Sequence, residues 1–299
     1  MTSLIAIVTD STAVADAEAA TALGVQVVPL QVVIGAESHE DFGPDAVTSQ
    51  MLAQALKSFT PLSTSRPNPE AFAQVYRELA EQGCTGVVSI HLSSQLSGTV
   101  ESAQMAASKA PIPVLVVDSG LVGSATSSVV AAAVAARAEG ADLDQVARAA
   151  QERAANTEVL FYVDTLEYLR RGGRINTAMA LVGQALAMKP ILRLQAGRVV
   201  QHERVRTAAR ALARLEEMAV EAAGDSSVSV TVSHLEAADR GARLVENLQE
   251  RLADQLCPDE VLLDEVGAVI GAHVGPGMVA VTVSRLDPPE ARLSTGSRG

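Results

Sequence analysis

The stretch GVVSIHLSSQLSGTV, residues 86–100, places a buried strand, a loop rich in hydroxyl groups and the start of a helix in direct succession. Gly86–Leu92 is a short apolar run of the kind that forms a strand, and Ser97–Lys109 has a helical pattern. Two more apolar runs, Leu4–Val8 and Val114–Val117, each come shortly before an Asp-Ser pair and a helical pattern. Strands separated by helices predict βαβ units and a parallel sheet.

The pattern changes near Ala155. Up to that point the chain alternates strands and helices, with Val25–Val33 predicted as its second strand. Beyond it, Arg193–Gln201 is typical of a β-hairpin, and further strands and helices follow without a regular βαβ order. We therefore expect an α/β protein of two domains: an N-terminal parallel-sheet, Rossmann-like domain over 1–155 and a C-terminal α+β domain over 156–286. A flexible tail would occupy 287–299.

Composition and charge exclude several classes of protein. The 299 residues include 48% hydrophobic and only 2% aromatic residues, so a pocket would have aliphatic walls. The formal net charge of −12 disfavours nucleic acid binding and repels anionic membranes. There is no signal-like or membrane-spanning segment, which favours a cytoplasmic protein. P-loop, dinucleotide-binding, nucleophile-elbow and zinc-binding motifs are absent, so no cofactor or metal is expected.

Small polar residues follow the predicted strands, where open α/β sheets bind their ligands. The clusters are Asp10-Ser11, Thr64-Ser65-Arg66, Ser93-Ser94 with Ser97-Gly98-Thr99, and Asp118-Ser119. Such residues often only cap helices, and this alternative applies above all to the two aspartates. One helix start needs one cap, however, and the third cluster has four hydroxyls around a glycine. With a helix N-terminus and no Lys or Arg, it predicts a site for a singly charged carboxylate.

Two clusters in the second half are also candidates for ligand binding. LRRGGRI, residues 169–175, is basic and glycine-rich and includes Arg170 and Gly172; it is either a solvated turn or a ligand-binding loop. GAHVGPG, residues 271–277, surrounds His273 with glycines. A lone histidine is often a core residue, but here the glycines allow the backbone to approach a ligand closely, which favours a functional role.

Taken together, these motifs resemble the DegV family, which includes the fatty-acid-binding subunits of bacterial fatty acid kinase. The resemblance covers Ile5 to about Leu286. It rests on the order and spacing of IVTDST, TSRP, HLSSQLSGT, VDS, VDTLEYLRRGGRI, KPIL and GAHVGPG.

The resemblance implies two α/β domains with a long-chain, palmitate-like fatty acid held between them. Thr64, one of Ser93 and Ser94, and His273 would contact its carboxylate. The family more often has Gln at the position of Arg66, so a direct contact between this arginine and the carboxylate becomes an expectation specific to this chain. A separate kinase catalytic subunit would phosphorylate the bound carboxyl group, and this chain would catalyse nothing alone.

Three other functions remain open from the sequence. A serine-dependent lipid hydrolase could combine Ser97 with His91 or His273 and with Asp10 or Asp118. The same fold could carry another amphiphile, because an aliphatic tunnel discriminates poorly between tails. A purely structural protein would leave the hydroxyl clusters unexplained.

Overall fold

Three β-sheets and their helices make up the computed structural model, which describes residues 4–14, 16–58, 60–175 and 188–286. The strands are β1 (Ile5–Asp10), β2 (Gln26–Val28), β3 (Gln31–Ile34), β4 (Glu37–Glu40), β5 (Leu62–Ser65), β6 (Gly86–His91), β7 (Val114–Asp118), β8 (Thr157–Tyr162), β9 (Lys189–Gln195), β10 (Arg198–Val205), β11 (Val228–His234), β12 (Leu262–Glu265) and β13 (Val279–Arg285). The α-helices are α1 (Ala17–Leu23), α2 (Ser49–Lys57), α3 (Pro69–Glu81), α4 (Thr99–Ala107), α5 (Ser124–Ala138), α6 (Leu143–Ala155), α7 (Glu167–Arg171), α8 (Ala208–Ala223), α9 (Ala238–Arg251) and α10 (Ala268–Val274).

The first sheet is parallel throughout, with the strand order β2-β1-β6-β7. Every residue of β1 and of β6 is buried, which explains why these strands are continuous apolar runs rather than alternating ones. The parallel sheet predicted from the sequence is confirmed. Its order reverses between β1 and β6, and ligands of open α/β sheets bind in the crevice at such a point.

The six-stranded sheet contains only strands from the second half of the chain, in the order β10-β9-β8-β13-β11-β12. Only β11 and β12 pair in parallel; the other neighbours are antiparallel. The predicted hairpin is confirmed as β9 and β10, and its turn has positive φ at Ala196 (48°) and Gly197 (76°).

The two faces of this sheet have different neighbours, as the alternation along β8 illustrates. Leu160 and Tyr162 pack with residues of α8. Val159 and Phe161 point the other way and join a core that also contains Val88 and Leu121 of the first half. Because successive side chains of a strand alternate, one face serves the C-terminal helices and the other faces the N-terminal half.

Two details differ from the sequence-based predictions. The predicted strand Val25–Val33 was wrong as a single element, because the chain breaks at Pro29 and Leu30 into β2 and β3. Proline has no N–H for the ladder, and β3 leaves the parallel sheet to form a separate antiparallel sheet of order β4-β3-β5. The glycine-rich motif GAHVGPG overlaps the short helix α10, which was not predicted from the sequence because seven residues give too little periodicity to recognise.

No helix within the described ranges has both the length and the apolar character to cross a bilayer. The predicted flexible tail, 287–299, lies outside the described residues.

Candidate functional site

A cavity lies between the N-terminal half of the chain and the face of the six-stranded sheet that does not carry the C-terminal helices. It holds about 940 Å³ of empty space, including the part open to solvent. The apolar side chains that line it are Leu30, Leu92, Leu96, Val122, Val159, Phe161, Leu169, Leu194, Val199, Val266, Val269, Ile270, Val274, Met278 and Ala280. The apolar part of the wall is therefore aliphatic except for Phe161, as the composition predicts.

A group of polar residues, which we call the head-group cluster, lines the same cavity. It consists of Thr64 on β5, His273 on α10 and Arg174 after α7. The Thr64 hydroxyl lies 2.8 Å from Nε2 of His273 and joins β5 to α10. Nδ1 of His273 is buried and has no hydrogen-bond partner among the residues that the structure describes. A Cβ atom on Gly172 would lie 2.1 Å from that Nδ1, so the glycine allows the imidazole to take this position.

His273 is held in its neutral form. Burial lowers its pKa to about 4, and the positive charge of Arg174 acts in the same direction. At neutral pH the imidazole therefore carries one N–H. If that hydrogen is on Nε2, it is donated to Thr64, and the Thr64 hydroxyl proton is free to reach a ligand in the cavity.

Arg174 carries a charge into the cavity that no carboxylate balances among the described residues. Its guanidinium donates to the carbonyl oxygen of Leu96 at 3.0 Å and to that of Gly172. Burial lowers its pKa, but guanidinium stays protonated in proteins. Arg66 differs, since its guanidinium is exposed and forms an ion pair with Glu101. The cavity therefore combines aliphatic walls with one unpaired cation, which suits an amphiphile with an anionic head.

The structure brings some of the predicted site residues to this cavity and leaves others elsewhere. Thr64, Ser65, Arg66, Ser97 and His273 line it. The lining does not include Asp10, Ser11, Ser93, Ser94, Gly98, Thr99, Ser119, Arg170 or Gly172. Gly172 nonetheless contacts His273, as described above.

Ser93 and Ser94 have other roles in this arrangement. The Ser93 hydroxyl is fully buried and donates to the carbonyl oxygen of Gly197 at 2.7 Å, which fastens the β9–β10 hairpin to the N-terminal half. Ser94 is exposed and uses its backbone N–H to bond Asp118. The arrangement offers no support for a contact between either serine and a ligand carboxylate.

The other predicted residues outside the lining serve local structure. Ser11 accepts the N–H of Leu30, and Ser119 accepts that of Leu121. Thr99 bonds the hydroxyl of Ser97 at 2.9 Å. Gly98 packs against the guanidinium of Arg66, and exposed Arg170 pairs with Glu167.

Asp10 belongs to a fully buried series of hydrogen-bonded polar side chains, which resembles a catalytic triad only in its residue types. Its carboxylate accepts from the backbone of Leu92 and lies 3.1 Å from Nδ1 of His91. Nε2 of His91 is 2.7 Å from the hydroxyl of Ser89, which in turn bonds Tyr76. None of these side chains has more than a trace of exposed surface. His91 is thus bonded to Asp10 and Ser89 and does not contact Ser97, the nucleophile of the hydrolase alternative. The Ser97 hydroxyl bonds Thr99, and Nε2 of His273 bonds Thr64. A triad needs its base hydrogen-bonded to the nucleophile, so this geometry argues against the hydrolase alternative.

Asp41, in the loop after β4, fixes the start of the helix that carries His273. Its carboxylate accepts the N–H of Val269 at 3.2 Å at the N-terminus of α10. Burial raises the pKa of Asp41 to about 7, although the N–H groups of Val269 and Ala268 and the hydroxyl of Ser11 oppose that rise. The nearby charge of Asp10 adds to it.

This raised pKa gives a testable pH dependence of stability. The folded state holds the Asp41 proton more tightly than the unfolded state does. Asp41 therefore lowers the free energy of unfolding as the pH rises from about 4 to 7, and this decrease is complete above pH 7. At pH 8 the free energy of unfolding of Asp41→Asn is expected to be about 1–3 kcal/mol higher than that of the parent. This range allows for the weaker hydrogen bonds that an amide oxygen accepts in place of a carboxylate. The advantage should vanish near pH 4.

Urea unfolding at several pH values measures this difference, and Asp45→Asn, at an exposed position in the same loop, is the matched control. Comparing each variant with the parent cancels the opposite titration of His273. A pH-independent difference would show that the Asp41 carboxyl is not perturbed.

Four cavity residues with polar side chains were missed by the sequence-based predictions: Arg174, Ser124, Ser233 and Thr282. The basic LRRGGRI motif indicated a site, but three arginines share it and the pattern does not show which one turns inward. Ser233 and Thr282 alternate with buried valines in their strands, which is the pattern of solvent-facing residues. Here that second face is covered by the N-terminal half of the chain.

Residues 4–286 match a family described as "Uncharacterised protein, DegV family". Among curated proteins, a DegV domain-containing protein of Streptomyces coelicolor is 49% identical over 280 residues, which are 94% of this chain and 98% of the relative. Another, from Halalkalibacterium halodurans, is 40% identical over 281 residues, which are 93% of this chain and 97% of the relative.

Solved structures agree with these matches. A DegV family protein from Thermus thermophilus, described for its fatty acid binding, is 35% identical with a TM-score of 0.86 and aligns over 95% of this chain and 100% of its own. DegV of Bacillus subtilis, described as a fatty acid binding protein, is 29% identical with a TM-score of 0.85, over 95% and 99% of the two chains.

Proposed function

The chain belongs to the DegV family, and on that premise we propose that it is a carrier of one long-chain fatty acid, held in the cavity between its two halves. The acyl chain lies along the aliphatic walls, and the carboxylate lies at the head-group cluster of Thr64, His273 and Arg174. The observation that carries the proposal is Arg174, a cation that lines an apolar cavity without a carboxylate partner among the described residues.

The energetics favour a long tail. Each buried methylene contributes roughly 0.8 kcal/mol, so about fifteen methylenes contribute on the order of 12 kcal/mol. Association and chain ordering cost several kcal/mol of that sum. A hydrogen bond to a charged group adds about 1.5–3 kcal/mol net. The tail therefore dominates affinity, and the head-group cluster selects an anionic head and sets the direction in which the fatty acid lies.

The carrier itself performs no chemistry in this proposal. A separate kinase subunit phosphorylates the carboxyl group of the bound fatty acid, as the family resemblance implies. Two observations support this division of roles. The sequence has no P-loop to hold a nucleotide, and the hydrogen-bonded Asp10, His91 and Ser89 are buried away from the cavity. Among the described residues, the Ser97 hydroxyl bonds Thr99 and not His273, which also favours carriage over hydrolysis.

Replacing Arg174 tests the assignment of the head-group cluster. Arg174→Met keeps much of the length of the side chain but removes its charge and donors. We expect palmitate affinity to fall about 10–100-fold, while the affinity for the uncharged 1-hexadecanol stays within a few-fold of the parent's. Titration calorimetry with the delipidated protein measures both ligands.

Arg171→Met is the matched control, because Arg171 is exposed and pairs with Glu167 outside the cavity. It should leave both affinities unchanged. Equal palmitate affinity in Arg174→Met and the parent would place the carboxylate somewhere else.

A further inference from the structure

The aliphatic cavity wall contains a second polar group, which we call the hydroxyl cluster. It consists of Ser124 at the start of α5, Ser233 on β11 and Thr282 on β13. Ser233 and Thr282 are only 4% and 3% exposed, yet both line the cavity. The cluster therefore joins the N-terminal half of the chain to the six-stranded sheet. The proposed binding of an unsubstituted fatty acid gives these three hydroxyls no role.

The hydrogen bonds within the hydroxyl cluster use only two of its three hydroxyl protons. Ser233 donates to the oxygen of Ser124 at 3.3 Å, and the hydroxyls of Ser124 and Thr282 lie 2.8 Å apart. Three hydroxyls have three protons, and these two bonds use two of them. The third proton, on Ser124 or Thr282, has no acceptor among the described residues. A saturated tail passing over it offers none, and a buried donor without a partner costs about as much as a lost hydrogen bond.

The surroundings of the cluster favour a neutral acceptor. Thr282 lies opposite Val159 across the β8–β13 pair, and Ser233 lies opposite Ala280 across the β13–β11 pair. The charged residues of the cavity lining are Arg66 and Arg174, and their hydrogen bonds run to Gly98, Glu101, Leu96 and Gly172. Among the described residues no cation therefore bonds the hydroxyl cluster, and a second carboxylate there would lack a counter-charge from them. An alcohol oxygen on the acyl chain can both accept the spare proton and donate to a free lone pair.

We propose that the hydroxyl cluster selects a fatty acid that carries a hydroxyl group along its chain. This inference rests on the proposed function, because it places the carboxylate at the head-group cluster and the chain hydroxyl at Ser124, Ser233 and Thr282. The distance between the two clusters along the bound chain decides which positional isomer is preferred. A site built to bond an alcohol discriminates well against the analogue that lacks it, since that analogue leaves the polar groups of the site unpaired.

A panel of stearate and monohydroxystearates, differing only in the position of the hydroxyl, tests the proposal with the delipidated full-length protein. At least one isomer is expected to bind about tenfold more tightly than stearate. Ser124→Ala and the nearly isosteric Thr282→Val should each remove that advantage and leave stearate affinity within about threefold of the parent's. Ser127→Ala is the matched control, because Ser127 also lies on α5 but bonds the carbonyl oxygen of Ala13 and does not line the cavity.

The outcomes separate this inference from the function on which it rests. If stearate binds but no isomer exceeds it, or if the advantage survives both Ser124→Ala and Thr282→Val, the hydroxyl cluster is not a selectivity site and the carrier proposal stands. If neither stearate nor any isomer binds to the parent protein, the carrier proposal itself fails. Circular dichroism of each variant establishes that a lost advantage is not a lost fold.

Discussion

Ala280→Phe is expected to weaken palmitate binding at least about 100-fold while the protein remains folded. Ala280 lies on β13, between Phe161 of β8 and Ser233 of β11, and its side chain lines the cavity. A phenyl ring at this position extends into space that the acyl chain would occupy. Displacing about four methylenes removes roughly 3 kcal/mol of binding energy, which is a factor of about 100.

The cavity also explains why this substitution is tolerated. Overpacking a filled core costs about 1–3 kcal/mol, but here the added ring enters empty space. Ala131→Phe, on the exposed side of α5, is the matched control and should bind palmitate like the parent. Native mass spectrometry and calorimetry measure both variants. Undiminished binding by Ala280→Phe would place the acyl chain outside this cavity.

Gly275→Ala is expected to lower the free energy of unfolding by about 2–6 kcal/mol. Gly275 ends α10 with φ 73° and ψ 171°, a backbone conformation that is almost confined to glycine and costs other residues about 1–3 kcal/mol. An added Cβ would also lie 2.1 Å from Cδ2 of Tyr168, and relieving such an overlap costs a further 1–3 kcal/mol or so. Urea unfolding followed by circular dichroism measures the loss.

Gly173→Ala separates the two causes. Gly173 also has a positive φ, 71°, but a Cβ there would meet nothing within 4 Å, so this control should show only the backbone cost. Combining Gly275→Ala with Tyr168→Ala removes the overlap and should recover part of the loss relative to Tyr168→Ala alone. A Gly275→Ala protein as stable as Gly173→Ala would show that Tyr168 does not pack against this loop as described.

The parallel sheet could be predicted because a strand that is buried on both faces is a continuous apolar run in the sequence. The apolar runs that became β1 and β6 are too short for helices and too uniform for half-exposed strands. The hairpin of β9 and β10 was predictable because Gly197, a residue that suits the positive φ of a tight turn, lies between two strand-like segments. Such signals are local, and local signals survive without knowledge of the tertiary fold.

The site was predictable only in part, because side-chain direction depends on packing that no short pattern encodes. Thr64 and His273 were identified by motif, and the fold brings them together across 209 positions of sequence. Ser93 lies in the richest hydroxyl motif, yet its hydroxyl turns to Gly197 of the second half. Arg170 and Arg174 share one motif, but only Arg174 turns into the cavity.

The hydroxyl cluster could not have been found by pattern at all. Ser124 is an ordinary residue for the start of a helix, and Ser233 and Thr282 occupy strand positions that alternate with valines. Their shared environment exists only because the N-terminal half covers that face of the six-stranded sheet. Sites formed between segments that are distant in the sequence are therefore the ones that sequence patterns describe least completely.

A crystal structure of the protein with palmitate tests the central claim most directly. We expect the acyl chain to lie against Val159, Phe161 and Ala280, with a carboxylate oxygen within hydrogen-bonding distance of Thr64 or Arg174. A palmitate bound outside this cavity, or bound in it with the carboxylate away from both residues, would contradict it.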